Sequence, residues 1–365
     1  MRIPENLLPR DGRFGSGPSL VRHDGLERVF RSERMGTSHR QTPVRGLVAS
    51  VRERVAALLG APGGYEVMLG NGGATAFWDA AAFSLVRNRA AHGAFGEFSS
   101  KFARATDAAP FLEPSLVTRA EPGGCALPAS DSRADIYAWP HNETSTGVIA
   151  PVRRIDDDGA ALVVIDATSA AGGVEVDLAA TDVYYFSPQK NLGSDGGLWI
   201  AVVSPRAVER IEEIAASGRW IPDFLALKPA LDNSRKNQTL NTPAIATLEL
   251  LDGHLGWLLD SGGLGWAAER TRTSSDQLYA WAGRRDFAAP FVQDRELRSP
   301  VVVTIDLEGV QADDVNAVLR SNGILDTFAY RKLGRNQLRV ATFPAVDPAD
   351  VAQLIRSIDY VVERI

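Results

Sequence analysis

From about residue 45, the chain alternates amphipathic segments with short apolar runs. Residues 44–59 and 74–87 have a helix-like spacing of apolar positions, and residues 65–69 between them have the length of a strand. Four further apolar runs are typical of buried parallel strands, and they span residues 134–139, 161–165, 183–186 and 198–203. This alternation predicts an α/β layer structure built on a mainly parallel sheet.

The pattern changes after residue 249. Residues 249–285 are interpreted as one long helix, or as a pair of helices interrupted at Gly262 and Gly263. A strand, a helix, a strand and a helix follow at residues 301–307, 312–321, 337–343 and 348–362. This order predicts a compact α+β module. We therefore divide the chain into an N-terminal segment (1–15), a large domain (16–255) and a small C-terminal domain (256–365).

Composition and charge narrow the class of protein. A chain of 365 residues, of which 45% are hydrophobic, can bury a sizeable core. Its net charge of -6 argues against nucleic acid or acidic membranes as partners, because both need a basic face. The first ten residues contain no apolar signal core, and no apolar run is long enough to span a bilayer. We therefore expect a cytoplasmic protein.

Cysteine and histidine usage argues against a metal site. Cys125 is the single cysteine, so neither an intrachain disulfide nor a multi-cysteine metal site can form. The five histidines never stand at metal-ligand spacing, and we expect no bound metal. The acidic run at residues 156–159 is interpreted as a solvated turn.

Lys190 lies between two strand-like runs, where a surface lysine would be out of place. Burial lowers the pKa of an amine and frees its lone pair, so a lysine at the end of a buried strand can form a Schiff base. The alternative interpretation is a solvated lysine in a turn between strands. In open α/β sheets, ligands bind beyond the carboxyl ends of strands, which here precede residues 142–146, 166–169 and 187–191.

A glycine-rich turn offers a second candidate site. Residues 70–79 have the sequence Gly-Asn-Gly-Gly-Ala-Thr-Ala-Phe-Trp-Asp, follow a strand and open a helix. Free backbone N–H groups and the helix dipole make such a turn a seat for a phosphate. Thr75 occupies the place of the last glycine in the dinucleotide fingerprint, so we reject a nicotinamide site. A tight turn that serves packing alone is the alternative.

Asp166 ends the run that begins at residue 161 and stands about one strand-helix-strand unit before Lys190. A carboxylate at that edge can pair with a protonated pyridine nitrogen, while the lysine binds an aldehyde and the glycine-rich turn holds a phosphate. These three parts fit pyridoxal 5'-phosphate (PLP). Taken alone, Asp166 would be interpreted as a helix N-cap; the combination of the three parts favours the cofactor site.

Four short strings occur in a fixed order and carry a family resemblance. They are Ser-His-Arg at 38–40, Asn-Glu-Thr at 142–144, Pro-Gln-Lys-Asn at 188–191 and Asn-Thr-Pro at 241–243. Together they resemble the phosphoserine aminotransferases, fold-type I PLP-dependent enzymes of class V, and look closest to the actinobacterial branch. The resemblance runs over nearly the whole chain. It implies a large domain with a mainly parallel seven-stranded sheet, a smaller C-terminal α+β domain, and a homodimer.

The resemblance also implies the reaction. L-Glutamate would give its amino group to 3-phosphohydroxypyruvate, which yields O-phospho-L-serine and 2-oxoglutarate in serine biosynthesis. Two alternatives stay open: another class-V aminotransferase, of the alanine- or serine-glyoxylate type, and a non-catalytic PLP-binding protein. A cysteine desulfurase is disfavoured, because Cys125 lies outside any recognisable catalytic loop.

The family pattern implies a set of cofactor-binding residues. By position they are Ala74, Thr75, Phe98, Thr144, Asp166, Gln189, Lys190, Asn241 and Thr242. Lys190 would hold PLP covalently and move the substrate α-proton, and Asp166 would pair with the pyridine nitrogen. Phe98 would stack on the ring, and Thr144 would bond its hydroxyl. The remaining residues would hold the phosphate, with Asn241 and Thr242 reaching it from the other subunit.

The family pattern also implies two anion sites for the substrates. Arg339 would bind the α-carboxylate, a bidentate task that lysine performs poorly. His39, Arg40 and Arg331 would form the pocket for the distal carboxylate or phosphate. Arg339 is the firmest of these assignments, because a charge among strand residues normally has a partner.

The sequence departs from the family pattern around the distal anion. Ala74 stands where some relatives carry an arginine that reaches the neighbouring subunit's substrate, and Tyr330 replaces a histidine. Arg331, Lys332 and Arg335 are the candidates to supply the missing charge.

Overall fold

The computed structural model describes residues 1–155 and 161–365, so the acidic run predicted as a turn at 156–159 lies outside the described residues. Within them, the strands are β1 Glu66–Asn71, β2 Ala90–Ala94, β3 Leu116–Arg119, β4 Ile136–Pro140, β5 Asn142–Glu143, β6 Val148–Ile149, β7 Leu162–Asp166, β8 Val183–Phe186, β9 Leu198–Val203, β10 Ala288–Pro290, β11 Val302–Leu307 and β12 Gln337–Ala341. The α-helices are α1 His23–Phe30, α2 Thr42–Leu59, α3 Ala74–Ser84, α4 Glu97–Asp107, α5 Pro205–Ala216, α6 Leu227–Arg235, α7 Ile245–Asp260, α8 Gly263–Ala282, α9 Ala312–Ser321 and α10 Pro348–Val362.

Seven strands form the main sheet, in the order β1-β9-β8-β7-β4-β2-β3. Strand β9 runs antiparallel to both of its neighbours, and the other pairs are parallel. The predicted mainly parallel seven-stranded sheet is therefore confirmed. The four apolar runs predicted as strands correspond to β4, β7, β8 and β9.

The main sheet is buried on both faces, which explains its continuous apolar runs. Successive side chains of a strand point to opposite faces. Along β8, Tyr184 and Phe186 accordingly pack into one hydrophobic cluster with α2 and α7, while Val183 and Tyr185 pack into another with α3 and α5.

A second sheet, β10-β11-β12, is antiparallel and packs with α8, α9 and α10. The N-terminal residues Ile3 and Phe14 join the same core. This arrangement confirms the predicted α+β module, and Gly262 separates α7 from α8 as predicted. The domain boundaries stay predictions, and residue 255 lies inside α7.

The connection from β7 to β8 differs from the predicted strand-helix-strand unit. Turns and one short 3-10 helix, Leu178–Ala180, replace the α-helix. Side chains of the site form hydrogen bonds with backbone groups that an α-helix would pair within itself. The Thr168 N–H donates to Asp166 Oδ1 at 2.9 Å, and the Ser169 carbonyl accepts from Asn191 Nδ2 at 2.8 Å.

Helix α3 also ends earlier than predicted, at Ser84 rather than at residue 87. Two arginines bind the carbonyl groups that follow: Arg210 donates to Leu85 at 2.9 Å, and Arg219 donates to Val86 at 2.6 Å. These bonds satisfy the carbonyl groups at the helix end. No helix in the described part of the chain is both long and apolar enough to cross a membrane.

Candidate active site

The loops after β4, β7 and β8 meet at one edge of the main sheet, as expected for the carboxyl ends of neighbouring parallel strands. Asn142 Nδ2 donates to Ser169 Oγ at 2.8 Å, and Asn191 Nδ2 donates to the Ser169 carbonyl at the same distance. The three segments predicted to carry the chemistry therefore form one hydrogen-bonded group.

Lys190 follows β8 and is 9% exposed, so the solvated-turn interpretation is wrong. Its Nζ donates to the carbonyl of Ser16, and a Cβ added at Gly17 would lie 2.2 Å from Nζ. The centroid of the Phe98 ring lies 6.0 Å from the same atom. The amine is therefore buried between the backbone of Gly17 and an aromatic ring.

Burial lowers the pKa of the Lys190 amine from 10.5 to about 7, and the charge of Arg339 acts in the same direction. The carboxylates of Asp166 and Glu143 oppose this shift. Around neutral pH a substantial fraction of the amine is therefore unprotonated and nucleophilic, which is the property that Schiff-base chemistry requires.

This pKa predicts how the amine is labelled in cofactor-free protein. Below pH 7 the amine is mostly protonated and inert, and above pH 7 it is mostly free. We expect modification of Lys190 by an amine-reactive reagent, measured by peptide mass spectrometry, to rise with a midpoint near pH 7. A lysine amine in a model peptide has a pKa of about 10.4, so a model peptide labelled in parallel should react only at much higher pH. A midpoint shared with that peptide would contradict the buried amine.

Asp166 is the last residue of β7 and is 7% exposed. Its Oδ2 accepts from Trp78 Nε1 at 3.2 Å and from the Tyr185 hydroxyl at 3.1 Å, and its Oδ1 accepts from the Thr168 N–H at 2.9 Å. The bond from the Thr168 N–H is the capping contact expected of Asp166 as a helix N-cap, but no α-helix follows it. A carboxylate has about four acceptor positions, so one stays available for a ring N–H.

The predicted phosphate seat lies at the start of α3. Ala74 and Thr75 are the first two residues of this helix, and their N–H groups have no partner inside it. Asn71, the last residue of β1, donates from Nδ2 to the Thr242 carbonyl at 2.8 Å. The contact brings two predicted phosphate-binding segments together within one chain.

Phe98, Thr144 and Gln189 surround the space above Lys190. Phe98 is the second residue of α4, and its ring centroid lies 5.8 Å from that of Tyr330. Thr144 is buried, and its hydroxyl donates to Ser169 Oγ at 2.8 Å. Gln189 Oε1 is buried and has no hydrogen-bond partner among the described residues. An unpaired buried acceptor of this kind is satisfied by a hydrogen-bond donor of a bound molecule.

Arg339 points from β12 towards the same space. Its Nη1 donates to the Thr144 carbonyl at 3.1 Å, and its Nε is buried with no partner among the described residues. Its guanidinium carbon lies 5.4 Å from the centroid of the Tyr330 ring. The partner that we expected for a charge among strand residues is therefore the Thr144 carbonyl and not a carboxylate. The guanidinium is consequently free to bind an anionic ligand.

A cleft of about 920 Å³ opens over this arrangement, and its walls include Ser16, Gly17, Tyr330, Arg331 and Arg339. Of the three candidates for the missing distal charge, Lys332 is paired with Glu97 and Arg335 is paired with Asp306. Arg331 is exposed, and the described residues place no carboxylate within ion-pair distance of it.

His39 and Arg40 form a second cluster with the 238–242 segment. The His39 Nδ1 and the Thr242 hydroxyl are 3.2 Å apart, and Arg40 donates to the Leu240 carbonyl at 3.1 Å. Neither residue lines the cleft that holds Arg331 and Arg339. Within one chain, the structure thus divides the predicted substrate cations between two places.

Sequence reasoning missed four residues that contact or electrostatically affect Lys190 or Asp166: Ser16, Trp78, Glu143 and Tyr185. Ser16 lies in a Gly-Ser-Gly-Pro string, which could have indicated a close backbone approach. Trp78 and Tyr185 read as ordinary core residues, because one lies on an apolar helix and the other in an apolar strand. The described residues include no group of three or more His, Cys, Asp or Glu side chains that could hold a metal ion.

Comparison with known proteins assigns the family. The model of the family described as Aminotransferase class-V matches residues 127–326. A putative phosphoserine aminotransferase of Mycobacterium leprae (strain TN) is 57% identical over 366 residues, covering 100% of this chain and 97% of the relative. The chain belongs to the class-V aminotransferase family. A phosphoserine aminotransferase of Rhodococcus opacus (strain B4) is 56% identical over 366 residues, covering 100% of this chain and 98% of the relative.

Solved structures show the same fold. The phosphoserine aminotransferase of Cytophaga hutchinsonii matches with a TM-score of 0.89 at 23% identity, covering 97% of this chain and 99% of that chain. The PLP-bound phosphoserine aminotransferase of Trichomonas vaginalis matches with a TM-score of 0.80 at 18% identity, covering 96% and 100%. The predicted fold-type I architecture, aminotransferase class and PLP cofactor are confirmed for this class-V aminotransferase.

Proposed function

We propose that this class-V aminotransferase transfers the amino group of L-glutamate to 3-phosphohydroxypyruvate, which gives O-phospho-L-serine and 2-oxoglutarate. The observation that carries the proposal is the cleft in which the half-buried Arg339, with its buried and unpaired Nε, lies near Lys190 while the unpaired Arg331 stands at the rim. Both substrates carry two anionic groups, so they need two separate cations. The names of the 56–57% identical relatives support this reaction.

The residues present fit PLP. Asp166 keeps an acceptor position for a ring N–H, and the start of α3 supplies free N–H groups for a phosphate. Lys190 supplies an amine that is partly free at neutral pH. When bound, PLP provides an electron sink for the α-carbon of an amino acid.

The chain's own groups would then divide the work. Arg339 holds the substrate α-carboxylate through Nε while Nη1 stays on the Thr144 carbonyl, which fixes the α-carbon in front of Lys190. As a free amine, Lys190 would take the α-proton and pass it to the cofactor within the same half-reaction, and would move a proton in the reverse direction in the second half-reaction, a role suited to a pKa near neutrality. Asp166 would keep a proton on the ring nitrogen, and Phe98 would limit the access of water.

The active site would be completed in a homodimer. His39 and Arg40 lie beside Leu240 and Thr242, and none of the four lines the chain's own cleft. We infer that this group of residues reaches the partner subunit's cleft, where Asn241 and Thr242 contact the phosphate of PLP while His39 and Arg40 join Arg331 around the distal anion. A cytoplasmic location stays a prediction, and cell fractionation would test it.

Replacing Arg40 with alanine tests the distal-anion role. We expect the KM for 3-phosphohydroxypyruvate to rise at least about tenfold, because a charge-assisted hydrogen bond to the phosphate is lost. The affinity for PLP should change by less than about twofold. Arg45→Ala is the matched control, because Arg45 is also exposed and donates to a backbone carbonyl, that of Lys236. An equal loss of affinity for substrate and for PLP would argue against this role.

Two half-reactions followed by absorbance test the function as a whole. Addition of glutamate should convert the bound cofactor to its amino form, and addition of 3-phosphohydroxypyruvate should restore it. Glyoxylate, offered in place of 3-phosphohydroxypyruvate, should restore it far more slowly. The opposite preference would favour the glyoxylate-type alternative, and cofactor colour without either half-reaction would favour the non-catalytic one.

A further inference from the structure

Glu143, at the end of β5, is a fully buried carboxylate, with 0% of its surface exposed. Its Oε1 accepts from the Phe98 N–H at 3.3 Å and from the N–H and hydroxyl of Ser145 at 3.2 and 2.7 Å. Its Oε2 accepts from the N–H and hydroxyl of Ser99 at 2.9 and 2.8 Å. The ion pairs of the described residues do not include it, so hydrogen bonds alone compensate its burial.

These bonds cap helix α4. The N–H groups of Phe98 and Ser99 bind the two oxygens of Glu143, and the N–H of Glu97 donates to Ser145 Oγ at 3.0 Å. The residue before the helix is Gly96, where a Cβ would lie 2.3 Å from Glu143 Cγ. The cap is therefore supplied from a distant strand, and a carboxylate at this end of a helix also interacts favourably with the helix dipole.

The cap ties together two elements of the active site. Phe98 is the second residue of α4, and its ring lies over Lys190. Thr144 follows Glu143 directly, and its carbonyl accepts from Arg339. Any rotation of the carboxylate would break bonds to the Phe98 backbone and to the Ser145 turn at once, so the two oxygens fix the spacing between the ring and the arginine.

We propose that Glu143 is a positioning residue of the transamination, whose carboxylate fixes the Phe98 ring and the Thr144 carbonyl relative to each other through its hydrogen bonds to α4 and to the Ser145 turn. The inference rests on the proposed function. It concerns placement, because no atom of Glu143 lies among the groups that would touch the substrate.

Glu143→Gln is the decisive substitution, because it keeps the shape of the side chain. An amide accepts hydrogen bonds on one side only, so either the Ser99 pair or the Phe98 and Ser145 donors would face an NH₂ group. We expect a roughly 10- to 100-fold loss of kcat/KM for the glutamate half-reaction, the size of effect that a displacement of about 1 Å produces. The visible circular dichroism of the PLP-loaded protein should also change, because that signal reports how the cofactor ring is held.

The charge of Glu143 should also affect the pKa of Lys190, which a residue that only capped the helix would not do. Its carboxylate helps to keep the pKa of Lys190 from falling further. In cofactor-free protein, the labelling midpoint of Lys190 should therefore move to lower pH in the Glu143→Gln variant. An unchanged midpoint together with an unchanged circular dichroism signal would overturn the proposal.

A double-mutant cycle tests whether Glu143 acts through Phe98. If it does, Glu143→Gln should have much less effect on kcat/KM in a Phe98→Ala background than in the native one. Effects that multiply would mean that the carboxylate acts elsewhere, and would overturn the positioning role. Ser145→Ala is a milder variant in case Glu143→Gln does not fold, and it should lower kcat/KM about two- to tenfold with the same change in circular dichroism.

Asp347→Ala is the control for a simple loss of helix capping. Asp347 caps α10 through the Ala349 N–H at 2.9 Å. This substitution should lower the Tm but leave kcat/KM and the circular dichroism signal within about twofold of the native values. If the native protein catalyses both half-reactions and Glu143→Gln lowers only the Tm, the positioning role is wrong while the function stands. If the native protein catalyses neither, the proposed function itself is wrong.

Discussion

Lys190→Ala is expected to abolish transamination and the covalent attachment of PLP, with a loss in kcat of at least about 10³-fold. The structure explains the size of the effect. Lys190 supplies a buried amine whose pKa is lowered to about 7 by its burial. Removing it takes away both the group that holds the aldehyde and the group that moves the α-proton.

The measurement combines absorbance of the PLP-loaded protein with single-turnover kinetics in glutamate. The visible band of the attached cofactor should disappear in Lys190→Ala, while a small primary amine added to the solution should restore part of the activity. Lys228→Ala is the matched control, because Lys228 forms an ion pair with Asp232 within α6 and has been assigned no part in the chemistry. Retention of the visible band and of the glutamate half-reaction in Lys190→Ala would refute the assignment.

Arg339→Ala is expected to give the second-largest loss. Truncating one partner of a buried charge-assisted contact costs about 2–4 kcal/mol, or roughly 30- to 1,000-fold in kcat/KM. The half-buried guanidinium has an Nε with no partner among the described residues, so an incoming α-carboxylate meets a donor that no protein group occupies. The loss should appear with both glutamate and 3-phosphohydroxypyruvate, because both carry a carboxylate beside the reacting carbon.

Arg339→Lys separates charge from geometry. Lysine keeps the positive charge but cannot bind a carboxylate through two parallel N–H groups, so most of the loss should remain. Arg364→Ala, at an exposed arginine after α10 that donates to the Tyr360 carbonyl, serves as the control. A substrate-selective loss, confined to 3-phosphohydroxypyruvate, would move Arg339 to the distal anion and contradict its assignment to the α-carboxylate.

The main outline of the site could be predicted because it depends on local sequence. Asp166 ends one apolar strand, and Lys190 lies in the loop after the next one. Because neighbouring parallel strands bring their carboxyl ends to one edge of the sheet, the proximity of the two residues follows from the order of the elements. The start of α3 is likewise visible as a glycine-rich turn before an apolar helix. The sequence could not show which of the candidate cations is free to bind the distal anion. Lys332 is paired with Glu97 and Arg335 with Asp306, and these ion pairs join residues far apart in the chain.

By itself, the sequence determined the apolar runs of the main sheet, the break at Gly262, and the residue types that hold an aldehyde, a ring nitrogen and a phosphate, because each depends on neighbours a few residues apart. Only the tertiary structure decided that β9 runs antiparallel between β1 and β8, that Ser16 encloses Lys190, and that Glu143 caps α4. The physical reason is that these contacts join residues separated by tens to hundreds of positions. They arise from the packing of the sheet and its helices, which no local propensity encodes.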